Sequence, residues 1–250
     1  MHRLLLFALF GAVAQAVDGS LGMGFGVTSS SLLLSLGVGS ALTSASVHIA
    51  ELVTSLMSGV SHFRIGNVER RLFWPLLVSG VAGAVGGTLS AVTFQDAPAI
   101  RVVVAGILLV LGIMILVRFA RNRQRRHAVP SPRRLLAIGF PAAFIDALGG
   151  GGWGPIATPS LLMSHVDPAK AVGTVNAVEF FVTLTISIVF LLALPSVDWS
   201  IAVPLALGAA VTAPFAALVT RTLPTRALGT VVGLLVVLLS ARTIVLALVG

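Results

Sequence analysis

Residues 18–55 recur at 146–183, displaced by 128 positions, and this internal repeat is the feature that most restricts the fold. Each copy contains a glycine-rich stretch inside an apolar run, followed by a glutamate, Glu51 or Glu179. Many transporters are built from a duplicated apolar unit with interrupted helices, and they hold their substrate where the two copies meet. The repeat therefore predicts two matched halves with a site between them.

The composition is that of a membrane protein. Hydrophobic residues make up 57% of the chain and charged residues 10%, whereas soluble domains carry about 25% charged residues. Several apolar runs are close to the roughly 20 residues that cross a bilayer as a helix; they are 41–63, 72–94, 98–117, 171–194, 201–220 and 227–249. The predicted fold class is therefore an all-α polytopic membrane protein, with a single transmembrane transporter domain over residues 1–250.

Each half is predicted to contain a glycine-broken pair of short helices and then three transmembrane helices. The first repeat covers 1–117, a basic linker covers 118–134, and the second repeat covers 135–250. The predicted helices of the first repeat are 4–18, 27–37, 41–63, 72–94 and 98–119. Those of the second repeat are 135–147, 155–165, 169–194, 199–220 and 225–248.

The arginines predict the orientation, since seven of the fifteen lie in the linker 118–134. Basic segments next to membrane helices stay cytoplasmic and attract anionic lipid, so the expected partner of the linker is lipid rather than nucleic acid. Three crossings per half keep the loop of Arg221 inside and the arginine-free loop of Asp198 outside, whereas four crossings reverse both. We therefore expect re-entrant hairpins and inverted repeats. For the first broken segment, a full membrane crossing remains the alternative to a hairpin. A hairpin would place the positively charged Arg3 on the outer side.

Two glycine clusters interrupt the short helices and predict an anion site. Helices that restart near Val27 and Pro155 would point free amide groups and a positive dipole end at the membrane centre. Close helix packing is the alternative role for such glycines. The predicted substrate-binding residues are Gly22, Gly24, Phe25, Gly26, Thr28, Ser29, His48, Gly150, Gly151, Gly152, Trp153, Gly154, Thr158 and Asn176.

Polar residues at helical spacing follow each break and include the matched Glu51 and Glu179. A carboxyl group inside a membrane span is costly and faces the bundle interior, where it can load and release a proton. The alternative is that these glutamates brace the unwound backbone, and the two roles can coexist. Asp18 and Asp146, which precede the glycines, are interpreted as braces for the loop amides. A metal site formed by His48 and its neighbours is disfavoured, because the second half has no matching histidine.

The chain resembles the TauE/SafE family of sulfite and organosulfur-anion exporters. The resemblance rests on the stretch Gly149 to Pro159, on the small polar helix after each break, and on the basic loop between the halves. It covers essentially the whole chain. The first-half motif is degenerate, with Thr28 to Ser31 in place of a Thr-Pro pair. The resemblance implies export of a small oxyanion such as sulfite or sulfoacetate.

The functional hypothesis is a secondary transporter of the bacterial inner membrane, with the linker 118–134 on the cytoplasmic side. No cofactor is expected, since neither glycine cluster continues into the Gly-Lys-Ser/Thr of a nucleotide loop. An anion channel is the alternative, because it can use the same helix ends without alternating access. An intramembrane enzyme is disfavoured, since no Ser-His or HExxH pattern is present. The sequence does not fix the substrate, the direction of transport or the coupling ion. A homodimer is compatible with the sequence.

Overall fold

The computed structural model describes residues 2–21, 23–95, 99–120, 129–194, 197–222 and 225–249. Over these residues the chain forms ten α-helices and no β-strand, so the all-α prediction is confirmed. The helices are α1 (His2–Leu21), α2 (Phe25–Ser35), α3 (Ser40–Arg64), α4 (Arg70–Thr93), α5 (Ile100–Ala120), α6 (Pro132–Gly149), α7 (Trp153–Met163), α8 (Pro168–Ala193), α9 (Trp199–Thr222) and α10 (Thr225–Val249). Within the described residues, α4 and the segment Ala169–Ala193 of α8 have the length and hydropathy of membrane-crossing helices.

The two helix breaks lie where the glycine clusters predict them, but each is shorter than expected. The second helices restart at Phe25 and Trp153, two residues before the predicted starts. The reason is that, among the described residues of the two breaks, only Gly24, with φ 118°, and Gly150, with φ 70°, have left-handed backbone, so that winding resumes soon after each. Pro155 consequently falls in the first turn of α7, where its missing amide removes no helical hydrogen bond.

Helices α4 and α6 pack in parallel through their glycines. Gly139 of α6 lies against Leu76, and further along both helices Gly87 of α4 lies against Ala147. Moving toward the C-terminus of α4 therefore also means moving toward the C-terminus of α6. Such small residues let two helix backbones approach closely inside a membrane. The N-terminal ends of α4 and α6 consequently share one end of the bundle.

Helices α3 and α8 run in opposite directions along each other. Gly59, near the C-terminal end of α3, lies against Ala177, near the start of α8. The loop after α3 continues this contact, because the amide of Glu69 donates to the hydroxyl of Thr174 over 3.0 Å. The polar faces of the two matched helices are thereby brought to the middle of the bundle, on either side of the breaks.

Candidate functional site

The two helix breaks meet backbone to backbone. A Cβ atom on Gly26 would lie 2.6 Å from the carbonyl oxygen of Gly150 and 2.7 Å from the Cα of Gly151. A Cβ on Gly151 would collide with the backbone nitrogen of Val27. Only glycine fits at these two positions, because any side chain would occupy the backbone of the other break. The first turn of α2 therefore contacts the residues just before α7, and Gly154, in the first turn of α7, lies against Met23, just before α2.

A small cavity of about 10 Å³ lies at this meeting point. It combines the glycine backbone of both breaks with acidic side chains from three other helices. Its lining residues are Gly24, Gly26, Val27, Glu51, Asp146, Gly151, Gly152, Gly154, Pro155 and Glu179. Among the described residues, the lining contains no lysine or arginine. Within this lining, the source of positive potential is therefore the backbone.

The first turns of α2 and α7 supply that potential. The first i→i−4 bonds of the two helices are donated by Thr28 to Gly24, over 3.0 Å, and by Ile156 to Gly152, over 3.1 Å. Amides that come earlier in each first turn, including those of Gly26 and Gly154, have no carbonyl one turn before them in their helix. The aligned peptide dipoles add a partial positive charge at each helix start. Two such ends around one cavity suit a negatively charged ligand.

Asp146 holds the second break. Its Oδ1 accepts a hydrogen bond from the amide of Gly152 over 2.6 Å, and its carbonyl accepts one from the amide of Gly150, also over 2.6 Å. Asp18, the matched residue, accepts from the amide of Phe25 over a longer 3.4 Å. These contacts are the ones that a bracing role requires, and they are tighter in the second half.

His48 lies behind the cavity rather than in its lining. It is fully buried, and its Nε2 is 3.1 Å from Oδ2 of Asp146. Its Nδ1 is 2.7 Å from the carbonyl oxygen of Ser44. Asn176, the matched residue of α8, lies beside Gly59 of α3 and is likewise outside the lining.

Glu51 and Glu179 both reach the cavity. Glu51 is 7% exposed, and Oε1 of Glu179 lies 3.9 Å from the position of a Cβ on Gly154. Within the described part of the chain, neither carboxyl group has a hydrogen-bond partner. With Asp18 and Asp146 they make four of the eight acidic residues of the chain. Ionised carboxylates repel each other and a bound anion, so the protonation of this cluster controls what the cavity can hold.

The remaining predicted residues that the structure describes lie outside the cavity lining. The indole of Trp153 donates from Nε1 to the carbonyl of Val175 over 3.1 Å, and Phe25 is fully buried in the core. The predicted hydroxyls, which are those of Thr28, Ser29 and Thr158, are buried without a partner among the described residues. Gly22 lies outside the described residues.

Sequence reasoning missed three links that tie the halves together. Ser30 donates to the carbonyl of Gly150 over 2.6 Å, and Ser44 donates to the carbonyl of Ala147 over 2.6 Å. The third link is the contact between His48 and Asp146. Ser44 precedes His48 by one helical turn, and this spacing was the only sequence signal available.

Comparison with known proteins decides the family. The model of the sulfite exporter TauE/SafE family matches residues 7–243. The chain belongs to the TauE/SafE family. A probable membrane transporter protein of Bacillus subtilis, YtnM, is 37% identical over 98% of this chain and 84% of its own length. A probable membrane transporter protein of Haemophilus influenzae is 46% identical over 23% of this chain and 22% of its own length. No solved structure gave a significant match to this TauE/SafE chain. The chain is accordingly a membrane transporter.

Proposed function

We propose that this TauE/SafE protein is a secondary transporter that exports a small sulfur oxyanion, sulfite or an organosulfonate such as sulfoacetate, across the bacterial inner membrane. The observation that carries the proposal is that the starts of α2 and α7 meet at one cavity, with Gly26 against Gly151 and Gly154 against Met23. Backbone amides and helix dipoles at such a point bind an anion without a fixed cationic side chain. The description of the matched family, sulfite exporter TauE/SafE, supports the proposed substrate class.

The proposal includes inverted repeats, 1–117 and 135–250, each beginning with a re-entrant helix pair. Two contacts support the hairpin of the second half. Helix α6 starts at the same end of the bundle as α4, since the two are parallel. Helix α8 also starts there, because Lys170 donates from Nζ to the carbonyl of Gly66 over 2.6 Å. The pair α6 and α7 therefore leaves and returns at one end.

The first half has corresponding features that support the same arrangement. Gly11 of α1 lies against Leu205, which is near the start of α9. Helix α2 ends beside α10, where Arg242 donates from Nη1 to the carbonyl of Ser35 over 2.5 Å. In the proposed topology, both contacts lie toward the outer face. The linker 118–134 is then cytoplasmic and meets anionic lipid, and the protein works alone or as a homodimer.

Proton coupling follows from the carboxyl cluster in this proposal. A substrate anion can occupy the cavity only when Glu51 and Glu179 are neutral, since ionised carboxylates would repel it. Binding of the anion and of protons would thus be linked, and a proton gradient could drive export. The amide ends are shared by both halves, so rocking of one repeat against the other would expose the same site alternately.

An anion channel is the second candidate, because it shares the same helix ends. The small volume of the cavity favours alternating access over a continuous pore. The test is sulfite flux into proteoliposomes that contain the purified protein, measured with and without an imposed pH gradient. Saturable flux that a gradient drives uphill supports the transporter. Flux that stays proportional to concentration and never runs uphill indicates a channel, and the absence of flux contradicts both.

A further inference from the structure

The two halves differ in one contact beside the cavity. In the second break, Asp146 pairs with His48 of α3, with 3.1 Å between Nε2 and Oδ2. The matched residues of the first break are Asp18 and Asn176. An asparagine side chain has no ionisable group, so that break has no equivalent of the histidine charge. The two halves therefore differ at the residue that sets the charge beside the bracing aspartate.

The hydrogen atoms of this contact can be assigned from its neighbours. The carbonyl of Ser44 can only accept, so Nδ1 of His48, at 2.7 Å, carries a proton. The hydroxyl of Ser44 donates to the carbonyl of Ala147 and can only accept from Nδ1. Nε2 of His48 and Oδ2 of Asp146 are then joined by one further proton, whichever of the two atoms holds it. A neutral imidazole beside an ionised carboxylate would leave two acceptors facing each other.

This second proton fixes the charge of the pair. An imidazolium with a carboxylate has a net charge of zero, and so has a neutral imidazole with a protonated carboxyl group. In both cases Oδ1 of Asp146 remains an acceptor for the amide of Gly152, at 2.6 Å. Asp146 can thus hold the start of α7 without adding a negative charge to the cavity that it lines.

We propose that His48 is a positioning residue that neutralises Asp146, so that Asp146 holds the amide end of α7 without repelling the substrate anion. The proposal rests on the proposed function, in that the ligand is the transported anion. His48 itself lies outside the lining and acts through Asp146. The other acidic groups beside the pair are Glu51, Glu179 and Asp18. Helices α2 and α7 carry no ionisable side chain, and the arginines of α4, α5 and α6 stand near helix ends.

The test compares His48→Asn with wild type in sulfite transport by proteoliposomes at pH 8. His48→Asn introduces the residue of the other half and removes the compensating charge. The KM for sulfite is expected to rise on the order of tenfold relative to wild type, as a nearby unit charge predicts. His62→Asn, at the far end of α3, serves as the matched control and should leave KM unchanged.

A double variant separates charge from packing. In His48→Asn with Asp146→Asn, the side-chain oxygen of residue 146 can still accept from Gly152, and the negative charge is gone. The KM of this variant should return toward the wild-type value. A KM in His48→Asn that equals wild type, or a defect of equal size in the double variant, overturns the inference. Both outcomes leave the transport proposal standing, provided that wild type shows flux.

A second measurement is independent of transport. In ¹⁵N-histidine NMR spectra of the protein in lipid nanodiscs, the signals of His48 are identified by their loss in His48→Asn. Asp146→Asn is expected to shift the Nε2 signal, because the proton between Nε2 and the carboxyl group is removed. An unchanged Nε2 signal overturns the pair. If wild type shows no sulfite flux, this shift still decides whether the pair exists.

Discussion

Gly26 and Gly151 pack against each other through their backbones, and each takes the space that a side chain on the other would need. They belong to opposite halves of the chain and lie 125 residues apart in sequence. The contact brings the start of α2 and the residues just before α7 to one cavity. The proposed site is therefore formed by both repeats.

Gly151→Ala is expected to lower sulfite flux more than tenfold, because a Cβ there collides with the backbone of Val27 and must push the two helix starts apart. The loss should appear in flux measured with the purified protein in proteoliposomes. Gly106→Ala in α5 is the matched control, since a Cβ at Gly106 meets no atom within 4 Å. Wild-type flux and KM in Gly151→Ala would contradict the role of this contact.

Glu51→Gln and Glu179→Gln are expected to weaken the response of flux to an imposed pH gradient. A glutamine keeps the shape of the side chain but cannot exchange a proton, so the link between proton and anion binding is lost. Initial rates at a series of internal pH values measure this. Glu69→Gln, at the start of α4, is a control outside the cavity. Unchanged pH dependence in both variants would remove the coupling role and leave the transport proposal intact.

Asp146→Ala is expected to destabilise the protein more than Asp18→Ala. The first removes a 2.6 Å bond to a buried amide, and an unsatisfied buried donor costs about 1–3 kcal/mol. The second removes a bond of 3.4 Å, which is close to the limit of useful geometry, so a loss below about 1 kcal/mol is expected. The midpoint of thermal unfolding in detergent ranks the two. The reverse order would show that Asp18 is the main brace.

Gly83→Ala is expected to lower stability by about 1–3 kcal/mol through overpacking. A Cβ at Gly83 would collide with the carbonyl of Phe140 in α6, where backbone cannot move aside. Gly86→Ala on the same helix is the control, because its nearest neighbour would be a ring carbon of Phe144 at 3.6 Å. Thermal unfolding of both variants checks the difference, and equal midpoints would speak against close packing of α4 on α6.

The hairpin of the second half predicts that single cysteines at Ser131 and Met163 react from the same side of the membrane. A cysteine at Gln95 should react from the opposite side. All three residues are exposed, and the natural chain contains no cysteine, so each variant gives one signal. Labelling with a membrane-impermeant maleimide on intact cells and on inverted vesicles distinguishes the sides. Reaction of the Met163 variant together with the Gln95 variant would indicate a full crossing instead.

The ten helices could be predicted because each depends on information close in sequence. Apolar runs of fixed length define the long helices, and clustered glycines define the breaks, as at Gly150 to Gly152. The boundaries were less accurate. The restart at Trp153 rather than Pro155 depends on which glycine adopts the left-handed backbone, and all the glycines of the cluster can do so.

The contacts inside the site could be predicted only in part. The matched positions of Glu51 and Glu179 indicated a shared cavity, since the repeat relates them directly. The pairing of His48 with Asp146 joins residues 98 positions apart in sequence. It depends on how α3 packs on α6, and the second half offers no histidine from which to infer it by repetition. The indole of Trp153 was equally hard to orient, because both the cavity and the helix interface suit an aromatic ring.

The bond from the Trp153 indole to the carbonyl of Val175 fastens the first residue of α7 to α8, one helical turn before Glu179. A shift of the start of α7 would therefore pull on the turn of α8 that leads to this glutamate. In the proposed transporter, the indole would link the helix start at the proposed ligand site to the side chain that is proposed to exchange a proton. A change in tryptophan fluorescence on ligand addition would report a movement of this link.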